Sequence, residues 1–356
     1  MPRLRRADCS GPGILRRRRG RGFTYVFTTG EPVKDPEELA RIKDLTIPPA
    51  WEKVWICPYP NGHLQAVGID AAGRKQYLYH EKWRRRRDQE KFEHMLEFAR
   101  SLPKLRNRCS KDLSLDGFPP DKVLACATRL LDRGFFRIGT EGYAEQNETY
   151  GLATMQKRHV KLRRGGRILF DFQAKGNQRR IQGITDPEVY EIVEALKRRR
   201  NGPPDLLVYK DGRAWVDIKS ADINDYIRSA SGGDFTAKDF RTWNATVLAA
   251  VALAVSGAAA TSQTARKRAI TNAVREVAYY LGNTPAIARA SYIDPRVFDR
   301  YLSGWTISGA LDSLGTDIDL GAPSFQGGIE DAVLDLLEHR QTSPALEPLD
   351  ALEKIA

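Results

Sequence analysis

Cysteine, histidine and methionine are scarce in this chain of 356 residues, which holds only four, five and three of them. Cys9, Cys57, Cys109 and Cys126 are scattered, form no CxxC pair and have no histidine at ligand spacing. That argues against a disulfide framework and a zinc site, and makes a reducing cytosol the expected compartment. Long apolar runs are missing as well. The longest, Ala245 to Ala260, is too short to span a bilayer and is broken by Ser256 and Gly257. The basic first residues lack an apolar segment, so no secretory signal is expected. No cluster of carboxylates suited to a metal stands near the motifs described below, so neither metal nor cofactor is expected.

What the chain has in excess is cationic charge: 57 Lys and Arg against 45 Asp and Glu, a net charge of +12 and a pI near 9.5. Such a balance points first to nucleic acid as the partner, with a membrane surface as the weaker alternative. The length exceeds one small domain and suits a larger domain with a smaller companion.

Residues 1–22 are rich in Arg and Gly, including Arg16-Arg17-Arg18-Arg19, and read as a solvated, disordered tail. Residues 23–90 read as a small sheet domain. Phe23–Phe27, Val54–Cys57, His63–Gly68 and Lys75–His80 are strand-like, with a turn at Asp70–Gly73 and a helix over Asp35–Lys43. Tyr77 and Tyr79 share one face of a strand, with Arg74 and Gln76 nearby: rings and an amide that could reach bases, beside cations for phosphates. From residue 91 to 356 the pattern is mainly helical. It includes a helix at Phe92–Ser101, a polar loop over Pro103–Pro120, an amphipathic helix at Lys122–Phe136 and strand-like pieces between Tyr150 and Ile181. Thr185-Asp186-Pro187-Glu188 reads as a capping box opening a helix, and Thr236 to Asp239 as a weaker one that places Arg241 in the first turns of its helix. Lys175 falls at a hairpin tip, exposed and with long reach. Beyond Ser313 the chain reads as acidic loop, then helix from Asp331 to His339. The fold class is therefore α+β.

One stretch organises the rest. Gly282 suits the left-handed stop of a long helix. Thr284-Pro285 then starts a short helix, and Asp294-Pro295 starts another. Tyr292 is thereby set at a helix end, where a phenol can face a cleft, and Asn283 sits in the tight turn.

Phosphodiester cleavage without a metal needs an in-line nucleophile, cations for the phosphoryl oxygens and an acid for the leaving oxygen. Arginine suits the second role through its planar, permanently charged fork. Phe135-Phe136-Arg137-Ile138-Gly139, Asn147 to Leu152, Phe172 to Gly176, Lys238 to Asn244 and Ser291-Tyr292 together resemble the type IB DNA topoisomerases, in their small poxvirus-like bacterial form. Ile47 to Trp51 and Gly73 to His80 resemble that family's amino-terminal domain. The resemblance implies Tyr292 as the nucleophile of a 3′-phosphotyrosine bond, Arg137 and Arg241 as the oxygen clamp, and Lys175 as proton donor to the 5′ oxygen. The position that the family usually fills with histidine holds Asn283, an amide that can donate a hydrogen bond but carry no charge. Tyr143 and Lys238 join Arg74, Gln76, Tyr77 and Tyr79 as candidate DNA contacts. The resemblance further implies a monomer whose two halves clamp double-stranded DNA in the cytoplasm, at the nucleoid, without ATP. A tyrosine recombinase is the enzymatic alternative; its His-x-x-Arg box corresponds here to Lys238-Asp239-Phe240-Arg241. A nonenzymatic basic DNA-binding protein is the alternative from another class.

Overall fold

The computed structural model describes residues 3–257, 262–312, 326–340 and 342–349, apart from the side chains of Tyr143, Glu145 and Asp312. The chain divides into two compact units, at Glu93/His94.

The first unit is a five-stranded sheet in the order β2-β1-β3-β4-β5, with every neighbouring pair antiparallel. Its strands are β1 (Ile14–Arg19), β2 (Gly22–Phe27), β3 (Glu52–Ile56), β4 (Leu64–Ile69) and β5 (Lys75–Tyr79). Helix α1 (Pro36–Asp44) opens on Asp35, whose carboxylate accepts from Glu37 N–H. Because strand side chains alternate, the sheet buries two faces. Ile14, Val54, Ile56 and Ala66 pack with Ile42 of α1 on one side; Trp55, Cys57, Leu64 and Val67 pack with Leu15 and Tyr79 on the other.

The arginine run of the expected tail is ordered as β1, which corrects that reading. Ile14 is fully buried and Leu15 is half-buried, which anchors the strand. Arg16 then satisfies the carbonyls of Ile47, Pro48 and Trp51 at 3.2, 3.0 and 2.6 Å, and its guanidinium lies 4.2 Å from the Phe23 ring. Composition conceals the strand because only two apolar residues mark it.

The long helix α2 (Glu81–Leu113) runs across the division between units. It absorbs the first part of the expected loop after Pro103. Met95, Phe98, Leu102, Leu105, Cys109 and Leu113 keep one buried stripe past the exposed Pro103, and packing outweighs the lost helix hydrogen bond.

In the second unit α3 (Pro120–Arg133) and α4 (Glu141–Asn147) precede a three-stranded antiparallel sheet, β6 (Val160–Arg163), β7 (Arg167–Ala174) and β8 (Gln178–Thr185). Residues 150–155 form no strand; they are an irregular segment bonded to residues 137–138. Helix α5 (Pro187–Arg198) is capped by Asp186 rather than Thr185. Then come the hairpin β9 (Val208–Asp211) and β10 (Ala214–Asp217), followed by α6 (Ser220–Ser231), α7 (Ala237–Gly257), α8 (Gln263–Leu281), α9 (Pro285–Ser291), α10 (Pro295–Leu302), β11 (Trp305–Thr306), α11 (Ser308–Asp312), α12 (Gly328–Leu337) and β12 (Glu347–Pro348). Helix α7 is buried on nearly all sides, with α3, α6, α8, α10, α11 and α12 around it, so its apolar run is a core and not a span. Among the described residues no helix is long and apolar enough to cross a membrane. The expected helix at Asp331–His339 is α12, while residues 313–325 of the expected acidic loop lie outside the described residues. The architecture is α+β, as the sequence predicts.

Candidate active site

The stretch from Leu281 to Pro295 folds as its cap residues dictate. Gly282 takes φ 61°, and its N–H returns to the carbonyls of Ala278 and Tyr279. The Thr284 hydroxyl accepts from Ile287 N–H at 3.3 Å, and Pro285 opens α9. Asp294, fully buried, caps α10 by accepting from Arg296 N–H at 2.9 Å. Tyr292 is the C-cap of α9, and a single hydroxyl fixes its backbone from α7. Thr246 Oγ1 accepts from Asp294 N–H at 3.2 Å and shares its one proton between the Thr242 carbonyl at 2.9 Å and the Tyr292 carbonyl at 3.3 Å.

Arg137 follows α3 on an extended segment that is itself pinned. Leu152 N–H donates to the Arg137 carbonyl at 2.8 Å and Ala153 N–H to Ile138 at 2.7 Å. Here Gly139, at φ 75°, lies so close to Gly151 that a Cβ on it would meet the Gly151 Cα at 2.7 Å. Only glycine permits that approach, and it sets where Arg137 leaves the core. Arg241 comes from the first turns of α7, whose start is fixed by Asp239 accepting from Thr236 N–H at 2.8 Å.

These residues meet at the C-terminal end of α8. Arg137 Nη2 donates to the Gly282 carbonyl at 3.2 Å and to Asn283 Oδ1. Arg241 donates through Nη1 to the Phe135 carbonyl and through Nη2 to the Leu281 carbonyl at 3.0 Å. The Arg241 guanidinium carbon lies 5.3 Å from the centroid of the Tyr292 ring. Arg241 is only 4% exposed, and neither arginine has a carboxylate partner among the described residues. Burial pushes both guanidiniums below their ordinary range, and the repulsion between them adds to the effect on Arg241. Burial alone would raise the Tyr292 phenol, but the Arg241 charge and hydrogen bond, the Arg137 charge and a hydrogen bond from the Asn283 side chain together hold the phenol below its ordinary value of 10. Asn283 Nδ2 is buried, and the phenol of Tyr292 is the group its side chain acts on. Two unneutralised cations, a buried amide and an acidified phenol form a site prepared for an anion beside a nucleophile.

Lys175 stands apart from this cluster. It is exposed at the tip between β7 and β8, after the closing pair Ala174–Gln178, where Gly176 and Asn177 take positive φ. Lys238 is exposed on the first turn of α7. Tyr143 falls on α4, with its side chain outside the described residues. In the first unit Tyr77 is 46% exposed and stacks on Tyr79 at 6.1 Å. Arg74 and Gln76 are engaged by Asp70, at 2.9 and 2.8 Å, on its turn before β5. Sequence reasoning misses Thr246, whose signal is only its place one helical turn beyond Thr242, and Arg180 of β8. Arg180 lies in contact range of Gly282: a Cβ there would meet its guanidinium carbon at 3.2 Å.

Comparison with known proteins bears on the same residues. The model for the catalytic core of eukaryotic DNA topoisomerase I matches residues 80–303, and that for the N-terminal domain of bacterial DNA topoisomerase IB matches residues 22–70. The chain is 31% identical over 288 residues to DNA topoisomerase 1B of Acanthamoeba polyphaga mimivirus, covering 79% of this chain and 85% of the viral protein. It is 29% identical over 159 residues to DNA topoisomerase 1 of Candidozyma auris, which covers 44% of this chain but 20% of the fungal protein. A similar match, 25% over 199 residues, joins it to DNA topoisomerase 1 of Daucus carota, with 55% of this chain and 23% of the plant protein covered. With a catalytic-core match across more than half its length and all of Arg137, Lys175, Arg241, Asn283 and Tyr292 inside it, the chain belongs to the type IB DNA topoisomerases, a family of isomerases.

Proposed function

We propose that this protein relaxes supercoiled duplex DNA by cutting one strand, letting it rotate and resealing it, with no ATP and no required metal. The observation that carries this reading is the convergence of Arg137, Arg241 and Asn283 on an acidified Tyr292. The phenol oxygen, its proton lost to solvent, attacks the scissile phosphorus in line. A bond forms from phosphorus to Tyr292, and the bond from phosphorus to the 5′ oxygen breaks. Arg137 and Arg241 take the charge that grows on the nonbridging oxygens, and Asn283 Nδ2 supplies one neutral donor. Lys175, reaching from its hairpin into the DNA, gives its proton to the departing 5′ oxygen. Resealing is the reverse, and because the phosphotyrosine keeps the bond energy, supercoil tension alone drives the change. On this reading the exposed ring of Tyr77 and the half-buried ring of Tyr79, with Arg74, Gln76, Tyr143 and Lys238, contact the duplex, and the protein acts as a monomer at the nucleoid.

The direct test is relaxation of supercoiled plasmid in EDTA without ATP, followed by a detergent trap for covalent protein–DNA adduct. Tyr292→Phe should bind DNA and yield no adduct. An adduct with the Phe variant would remove Tyr292 from the role, and an inactive parent protein would remove the activity.

A further inference from the structure

Four successive carbonyls end α8, at Tyr279, Tyr280, Leu281 and Gly282, and three guanidiniums take them up. Arg180 donates through Nη1 to Tyr279 at 2.6 Å and through Nη2 to Tyr280 at 2.5 Å. Arg241 takes Leu281, and Arg137 takes Gly282. Carbonyls at a helix end lack the usual i+4 partners, although the Tyr279 carbonyl also accepts from Gly282 N–H, and they carry the negative pole of the helix dipole. They seat three like charges that have no carboxylate partner among the described residues. Burial and the nearby Arg137 push the Arg180 guanidinium below its ordinary range, so the contact is held against a cost.

Arg180 differs from the other two in what it brings along. It belongs to β8, an edge strand of the sheet β6-β7-β8, two residues below the pair that closes the Lys175 turn. Strand alternation sends Arg179 to one face, where it meets Asp171 at 2.8 Å, and Arg180 to the other, onto α8. Its cross-strand partner is Phe172, whose ring stacks 6.3 Å from Phe136, the residue before Arg137. The hairpin that carries Lys175 is thus fastened near its tip to the same helix end that seats Arg137 and Arg241. Without Arg180 the hairpin loses its fastening to α8 and keeps its strand ladder, the Phe172–Phe136 packing and the bond from Tyr150 N–H to the Gln173 carbonyl at 2.7 Å, so the turn beyond them is held less firmly.

We propose that Arg180 is a positioning residue for proton donation: it docks the β7–β8 hairpin on the C-terminal carbonyls of α8 and so fixes where Lys175 meets the leaving 5′ oxygen. This rests on the reading of Lys175 as the acid, and the experiment separates the two. Single-turnover cleavage is measured on an ordinary duplex and on one whose scissile 5′ bridging oxygen is replaced by sulphur, since a thiolate leaves without taking a proton. Arg180→Ala should slow cleavage of the ordinary duplex by about 10²-fold, the scale of a reacting group misplaced by about 1 Å. It should cleave the sulphur duplex at close to the parent rate. Lys175→Ala should show the same rescue and Arg241→Ala none, while Arg180→Lys, able to satisfy one carbonyl, should recover part of the ordinary rate. If Lys175→Ala is rescued and Arg180→Ala is slowed equally on both duplexes, or is not slowed at all, the positioning role is wrong. If Lys175→Ala itself is not rescued, the acid assignment falls and this role falls with it. Should Arg180→Ala fail to fold, Arg180→Gln and Arg180→Lys carry the same comparison.

Discussion

Arginine serves two regions of this molecule in opposite ways. On the β1–β2 hairpin Arg17, Arg18, Arg19 and Arg21 are exposed and have no carboxylate partner among the described residues. At the end of α8, Arg137, Arg180 and Arg241 are also without carboxylates, but they are half or fully buried and each is bonded to main-chain carbonyls. The first group keeps its hydration and can meet phosphates only as mobile, screened charges. The second has lost hydration, and fixed dipoles replace it in part. A charge held that way is ready for an anion and needs little reorganisation when one arrives. The net charge counts both groups alike; only the fold tells them apart.

The sharpest break in that comparison is to remove one buried guanidinium. Arg241→Ala and Arg137→Ala should each slow single-turnover cleavage by about 10²-fold or more, the scale of one lost preorganised donor to a developing oxyanion. Lysine at either position should restore only part, because a point charge cannot reproduce the fork that bonds carbonyls and phosphoryl oxygens together. Full cleavage by either Ala variant would take that residue out of the site.

How much of this is legible in the sequence follows from the same contrast. Gly282, Thr284-Pro285 and Asp294-Pro295 act through local backbone rules, so the helix ends around Tyr292 can be read directly. The sheet unit and the helical unit also follow from periodicity. Arg137, Arg241 and Asn283 can be singled out by their motifs, but their meeting at one helix end joins residues that lie up to 146 positions apart. Nothing local encodes that. Arg180 escapes notice because an arginine in a basic strand has no signature until α8 is placed beside it. β1 misleads for the converse reason: its arginines dominate the composition, while Ile14 and Leu15 do the anchoring. Pro103 reads as a stop, but the buried stripe around it is the stronger influence.

The exposed group should behave quite differently under mutation. Replacing Arg17, Arg18, Arg19 and Arg21 together by Ser should leave the cleavage rate of fully bound DNA unchanged. It should make the salt dependence of binding shallower, by roughly 0.9 in the log–log slope for each phosphate that is no longer neutralised. An unchanged slope would mean that the hairpin does not touch DNA. A slowed cleavage step at saturation would mean that its arginines are not mere surface charge, and the contrast would fail.

Asn283 is the intermediate case, a neutral donor among buried cations. Asn283→Ala should slow cleavage by about tenfold, the worth of one hydrogen bond of roughly 1.4 kcal/mol. That is less than for either arginine, since Arg137 would keep the Gly282 carbonyl at 3.2 Å. The turn should survive, because Asn283 N–H bonds the Ala278 carbonyl at 3.0 Å without the side chain. Asn283→His should stay near the parent rate: one imidazole nitrogen can accept from Arg137 while the other donates. Cleavage at the parent rate by Asn283→Ala, with only the melting temperature lowered, would reduce the residue to a turn former.

The smallest effect concerns the phenol, and it measures the field of the buried arginines without any DNA present. Burial raises the Tyr292 pKa, while the charges of Arg241 and Arg137 together with hydrogen bonds from Arg241 and Asn283 lower it by more, so the net position is below 10. The sign follows from which form the cations favour: they stabilise phenolate, so ionisation in the folded protein sets in at lower pH than in an exposed tyrosine. Subtracting the phenolate absorbance titration of Tyr292→Phe from that of the parent isolates this one group. Its midpoint should lie below those of the exposed tyrosines. Arg241→Ala should move the midpoint up, because the larger of the two opposing charges is gone and the desolvation remains. Arg137→Ala should move it up by less, and the hairpin quadruple variant should not move it at all, being exposed and screened. Low salt should change the parent value little, since charges buried beside the ring are poorly reached by mobile ions. A midpoint at or above that of the other tyrosines would show that desolvation prevails over the arginines. The nucleophile would then have to be activated by the DNA complex itself, and the guanidiniums would act only on the phosphate.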